Sequence, residues 1–130
     1  MILLDTHAVV WLLLAPEQLS SRARDAILQA RTDREKLACS QLSIYEIAHA
    51  AHRKLLPLNS TAAAFIAALE DRLEILPLTT EIEIRAAELP DSLGGDPMDR
   101  ILVATAIVHS CPLICRDDRI RRASLCNVVW

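Results

Sequence analysis

Residues 1–16, MILLDTHAVVWLLLAP, set a single acid, Asp5, between two apolar runs. The first run is short and rich in branched side chains, and reads as a buried strand over residues 1–5. The second is too long for a strand of that kind and ends at Pro16, which cannot continue a helix. A helix from Thr6 or His7 to Pro16 is therefore predicted. A strand running straight into a helix opens an α/β fold and leaves Asp5 at the strand's carboxyl end. An unpaired charge in apolar surroundings is costly, so Asp5 needs a partner.

The rest of the chain continues the alternation. LSSRARDAILQAR offers Ser20 or Ser21 as a cap and puts Ala23, Ile27 and Ala30 on one helical face. KLACS (36–40) reads as a second strand, SIYEIAHAAHRKL (43–55) and STAAAFIAALED (60–71) as helices, and LEILPL (73–78) as a third strand. TTEIEIRAAELP is helical with a Thr cap and stops before Pro90, and DSLGGDP, which holds both glycines, is a loop. The next helix has Asp96 as N-cap and Pro97 at its first position. Its body is apolar nearly all round, which predicts a central, buried helix. PLIC (112–115) and NVVW (127–130) are the last strands, with DDRIRRAS a short helix or turn between them. This pattern predicts one domain over residues 1–130, an α/β sandwich whose parallel sheet is covered on both faces.

With 52% hydrophobic residues and two glycines in 130 residues, the chain is neither disordered nor a flexible linker. Its net charge of −3 excludes a broadly basic nucleic-acid coat, and 3% aromatics argue against a base-stacking platform. A nuclease with local phosphate contacts stays open. Cys39, Cys111, Cys115 and Cys126 form no C-x-x-C pair and have apolar neighbours, so they read as reduced core residues of a cytosolic protein. No apolar run is long enough to span a bilayer, and the start lacks a signal peptide's positive region.

Ligands of parallel sheets collect at the carboxyl ends of the strands. Asp5 closes strand one, Asp117 follows strand four, Asp99 sits in the first turn of the late helix, and Glu46 lies early in the helix after strand two. Each has an ordinary explanation. Asp5 is a natural helix cap, and Asp99 pairs with Asp96 in the manner of a capping box. Asp117 and Asp118 suit a solvated turn, and Glu46 an outward face. Convergence is the alternative. Two carboxylates 4 Å apart repel by about 4 kcal/mol at an effective dielectric of 20, a large share of a domain's stability of roughly 5–15 kcal/mol. Raised pKa values or a bound cation must relieve them. A hard, all-oxygen donor set favours Mg²⁺ or Mn²⁺, ions that serve phosphoryl chemistry.

Glu46 and His49 form a Glu-x-x-His step, but a di-iron bundle needs that motif twice. His7 and His109 suit structural hydrogen bonds. Arg116, Arg119, Arg121 and Arg122 form a basic cluster beside Asp117, either a solvated face or a phosphate contact.

LLDTHAVVWLL, SIYEIAHAAHRKLLPL, ILPLTTEIEIRAAELP, GDPMDRILVATAIVHSCPLICRDDRI and the terminal VVW together resemble the PIN-domain family, and most of all its VapC-type toxins. The resemblance implies a three-layer sandwich with a central five-stranded parallel sheet and a divalent-metal endoribonuclease cutting RNA by metal-activated water. It carries over an acidic quartet onto Asp5, Glu46, Asp99 and Asp117, with Asp5, Asp99 and Asp117 as metal ligands and Glu46 assisting the water. Thr6 would bond Asp5 or the substrate backbone; Asp96, Arg116 and Arg119 are further supporting or substrate contacts. Two departures are Cys115, where a Thr is common, and Met98, where Phe is common; loss of the hydroxyl would weaken a bond that orients an acid. A VapB-like antitoxin, homodimers, and operator DNA reached only through the antitoxin are also implied, with a cytoplasmic setting and no membrane. The rival is a PIN-fold module that binds RNA or antitoxin with little catalysis. A receiver domain fits poorly, since strand one offers a single acid and no Lys follows Lys54.

Overall fold

A computed structural model describes residues 1–130. The strands are β1 (Ile2–Leu4), β2 (Leu37–Ser40), β3 (Glu74–Leu76), β4 (Leu113–Ile114) and β5 (Val128–Val129). The helices are α1 (Thr6–Leu14), α2 (Ser21–Thr32), α3 (Gln41–His52), α4 (Ala62–Glu70), α5 (Thr80–Glu88), α6 (Pro97–Val108) and α7 (Asp118–Ala123). All pairings are parallel and the strand order is β3-β2-β1-β4-β5. Leu3 sits opposite Ala38 on one side and Leu113 on the other, so β1 is the central strand. Chain direction across the sheet reverses there: β2 and β3 extend one way, β4 and β5 the other. The carboxyl end of β1 is therefore the switch point where such sheets hold ligands.

Alternation along β1 divides the core. Ile2 and Leu4 face an apolar layer built by α1 to α4, with Val9, Ile27, Ile47 and Leu69 inside it. Leu3 faces a second layer built by α5 to α7, with Ile82, Val103 and Ile120 inside. This is the predicted three-layer sandwich.

The departures have local causes. α3 begins at Gln41, two residues early, because Ser40 ends β2 and caps the helix with no linker between. It stops at His52, where Arg53 caps it and Lys54 turns left-handed at φ 56°. Residues 91–93, expected as loop, make a short 3-10 turn closed by Gly94 at φ 92°, a conformation glycine adopts without strain. α6 is less central than its composition suggests: only Val103 to Ala106 are buried, while Ile101, Leu102, Ile107 and Val108 are half-covered.

Candidate functional site

Four helices begin at one cleft. The N-cap residues of α1, α3, α6 and α7 are Asp5, Ser40, Asp96 and Asp117. All four line a single cavity of about 270 Å³ at the carboxyl ends of β1, β2 and β4. Asp5 accepts from the Ala8 amide at 2.6 Å, Ser40 from Leu42 at 3.2 Å, Asp96 from Met98 at 2.9 Å and Asp117 from Arg119 at 2.7 Å. Helix N-termini carry partial positive charge, which offsets some of the cost of gathering anions. The ordinary reading of Asp5 as a cap is therefore correct and incomplete. Asp117 likewise is a cap rather than a free turn residue.

Glu46 and Asp99 complete the wall. Glu46 faces inward and accepts a hydrogen bond from the Thr6 hydroxyl. Thr6 Oγ1 also lies 3.0 Å from Ser43 Oγ. One hydroxyl proton cannot serve both, so with Thr6 donating to Glu46, Ser43 donates to Thr6. Of the two partners expected for Thr6, Asp5 or the substrate backbone, Asp5 is replaced by Glu46, because α3 packs across the start of α1. Asp99 does not reciprocate the Asp96 cap as a capping box would. Its Oδ2 accepts from Arg119 Nη2 at 3.0 Å, and the same Nη2 reaches Asp117 Oδ2 at 3.0 Å. Arg119 is the basic cluster's contribution to the cleft. Arg121 pairs with Asp118, and Arg116 lies outside the cleft wall.

Burial and crowding set the protonation balance. Asp5 is only 7% exposed, and burial pushes its pKa above the ordinary 3.8, against the pull of the Cys115 thiol and the Ala8 amide. Asp99 is also raised, first by burial and then by Asp96, with Asp117 and Glu46 adding to it despite Arg119. Asp117 is lowered, chiefly by its hydrogen bond to Arg119. These influences couple Asp99 to Asp117 and Glu46, while Asp5 responds to its own burial and to Cys115.

Cys115 belongs to this network and is more than a core residue. Its thiol helps lower the pKa of Asp5, and its Sγ accepts from the Asp117 amide at 3.4 Å. A thiol therefore occupies the orienting role, as a weaker donor than a hydroxyl. Burial and the neighbouring Asp5 push that thiol well above its usual range, so it stays protonated. Sequence reading also missed Ser43, whose only signal was a small polar residue one turn before Glu46 in SIYE. It missed Arg100 as well. Arg100 donates to the carbonyls of Ala86, Leu89, Pro90 and Gly94, fastening the segment that leads into Asp96 and Asp99.

The donor set suits a hard cation, since the cleft gathers carboxylates from four segments around a buried one. As the side chains stand, no three acid, thiol or imidazole groups are close enough to share one ion. Arg119 supplies the positive charge between Asp99 and Asp117 instead. The histidines make no hydrogen bond to the acids: His49 lies tilted against Tyr45 with ring centroids 5.9 Å apart, and His7, on the cleft wall, lies tilted against Trp11 at 5.5 Å. For His7 this replaces the expected hydrogen bond.

An all-parallel sheet with this strand order and an acidic cleft at its switch point defines a class. Residues 2–125 match the PIN domain family model, and the chain belongs to the PIN-domain family. Ribonuclease VapC22 of Mycobacterium tuberculosis is 32% identical over 120 residues, covering 92% of this chain and 89% of that one. Among solved structures, VapBC2 from Rickettsia felis bound to a promoter DNA fragment superposes with a TM-score of 0.73 at 15% identity. That match covers 98% of this chain and 97% of the other. DNA-bound VapBC from Salmonella typhimurium gives 0.73 at 16% identity over 98% and 95% of the chains. At these identities the superpositions speak to the fold. No helix is long and apolar enough to cross a membrane.

Proposed function

We propose that this chain is a VapC-type endoribonuclease, the toxin of a VapBC-type toxin–antitoxin pair, which hydrolyses RNA phosphodiester bonds with Mg²⁺ or Mn²⁺ and so arrests growth. Its partners are a VapB-like antitoxin and a second copy of itself. Operator DNA is reached only through the antitoxin, in the cytoplasm. The observation that carries the reading is the meeting of Asp5, Glu46, Asp99 and Asp117 in one cleft. Support also comes from the relative named a ribonuclease, aligned over nearly the whole chain.

Asp5, Asp99 and Asp117 would hold the ion. Bound there, it would supply a Lewis acid for the phosphate and ease deprotonation of the attacking water. The chain's own groups do the rest. Glu46, steadied by Thr6 and Ser43, would take a proton from that water. The α1 N-terminus and Cys115 fix Asp5, and Asp96 anchors the first turn of α6 so that Asp99 faces inward. Arg119 must leave Asp99 and Asp117 as cation and RNA arrive, and its guanidinium is then free for a phosphate oxygen.

The second reading, a binding module with little catalysis, draws on Arg119, because a guanidinium already satisfies two of the four acids. A cleavage assay separates the two. On the nuclease reading, purified chain cuts single-stranded RNA with Mg²⁺ or Mn²⁺, and Asp5→Asn and Asp99→Asn remain folded but do not cut. RNA left whole by the unaltered chain in both ions, or cut equally by folded Asp99→Asn, refutes it.

A further inference from the structure

Beside the acidic cleft lies a second pocket of about 400 Å³, lined by Asp5, His7, Trp11, Arg116, Asp117 and Asp118. That volume is within the range of small-ligand sites. It shares Asp5, His7 and Asp117 with the acidic cleft, so the two adjoin. Two of its lining residues are rings, Trp11 and His7. Trp130, outside the lining, meets Trp11 at 5.6 Å between ring centroids, and the two are half of the chain's four Phe, Tyr and Trp residues. Both tryptophans are half-buried, resting against the α1–α4 core.

Arg116 lies over the Trp11 ring at 5.8 Å. Two acids follow it in the chain, yet it pairs with neither, because Asp117 takes Arg119 and Asp118 takes Arg121. An exposed guanidinium without a carboxylate, standing on an aromatic face, is the combination that holds single-stranded nucleic acid. The scarcity of aromatics argued against a stacking platform; the fold brings both tryptophans to one place.

We infer that His7, Trp11, Arg116 and Trp130 form a shelf for the nucleobase flanking the scissile phosphate. The base stacks on Trp11, Trp130 and His7 brace that ring, and Arg116 moves from the ring to the adjoining phosphate. Stacking of this kind tolerates any base, so the shelf sets where the strand lies rather than which sequence is cut. The inference rests on the RNA-substrate reading for the identity of the strand.

Tryptophan emission tests it directly, since both tryptophans belong to the shelf. The titration uses a chain carrying Asp99→Asn in Mg²⁺, so that RNA stays whole, with a ten-nucleotide single strand and a fully abasic strand of equal length. Binding is followed independently by anisotropy of labelled RNA. The base-bearing strand should quench the emission and the abasic one should not. Trp11→Leu should weaken binding about tenfold, while Trp11→Phe, which keeps a π face, should stay within about threefold. Unchanged emission at saturation, or equal affinities for the Leu and Phe variants, overturns the shelf. So does a Trp11→Leu chain that loses a protein partner but keeps its RNA. Cleavage by the unaltered chain is scored separately. Cutting with silent tryptophans removes the shelf and leaves the nuclease, whereas quenching without cutting does the reverse.

Discussion

Two arginines flank Asp99, Arg100 in sequence and Arg119 in space, and they do opposite work. Arg100 donates only to neutral acceptors, four backbone carbonyls between Ala86 and Gly94, of which Ala86 and Pro90 also accept from the amides of Leu89 and Leu93. Its charge rests against the carbonyl end of α5, where a cation is welcome. Arg119 donates to two carboxylates, is largely exposed, and is held by charges that a better cation would claim. One arginine completes the backbone's hydrogen bonding, and the other answers a charge imbalance. The first is structure; the second marks where the cleft expects something positive.

The largest effect should come from the acids that Arg119 holds. Asp99→Asn should lower RNA cleavage by a factor of roughly 10²–10⁴, in the range a positioned catalytic group contributes, while circular dichroism and melting remain near normal. Arg100→Met should show the reverse pattern. It leaves the Leu89 and Gly94 carbonyls without their side-chain donor and removes one of two donors from Ala86 and Pro90, and should cost on the order of 2–3 kcal/mol in denaturant unfolding, with cleavage retained below the melting transition.

Removing the exposed arginine should be milder and of another kind. Arg119→Gln should tighten Mg²⁺ or Mn²⁺ binding by about tenfold, because the ion no longer displaces a bound guanidinium. Calorimetry measures this, and an unchanged or weaker affinity would mean that Arg119 does not compete for the site.

The smallest effect concerns pH. Asp5 and Asp99 sit above their ordinary 3.8 in the folded chain, so folding takes up protons on them. Their ionisation costs stability at neutral pH, and that cost fades as pH falls through the raised values and is gone below 3.8. Asp117 runs the other way, and its contribution is lost only as pH falls below its ordinary 3.8. With a chelator present, lowering the pH from 7 toward 4 should therefore favour the unaltered chain relative to Asp99→Asn. Melting curves of the pair check it, and parallel pH profiles would remove the electrostatic link.

Much of this was legible in the sequence, for a local reason. Asp5, Asp96 and Asp117 stand where a strand, a loop or a turn hands over to a helix, and such junctions are written in a few consecutive residues. A parallel sheet then carries those junctions to one edge without further information. What was illegible depends on neighbours far along the chain. The Thr6–Ser43–Glu46 relay joins α1 to α3, the Cys115 thiol reaches back to Asp5, and Arg100 meets carbonyls that exist only once the 91–93 turn has formed. α6 misled because an apolar helix of twelve residues looks central by composition, although only four of them are buried. The paired tryptophans misled by their rarity: composition counts aromatics and says nothing of where they meet.

A calorimetric titration of Mn²⁺ into the unaltered chain and into Asp99→Asn tests the centre of this account most directly. Asp99 suits the test better than Asp5, because Asp5 also caps a helix within the core. The unaltered chain should bind the ion at a site that Asp99→Asn loses, with both proteins equally folded. Equal binding by the two would place the ion elsewhere and contradict the assignment of the cleft.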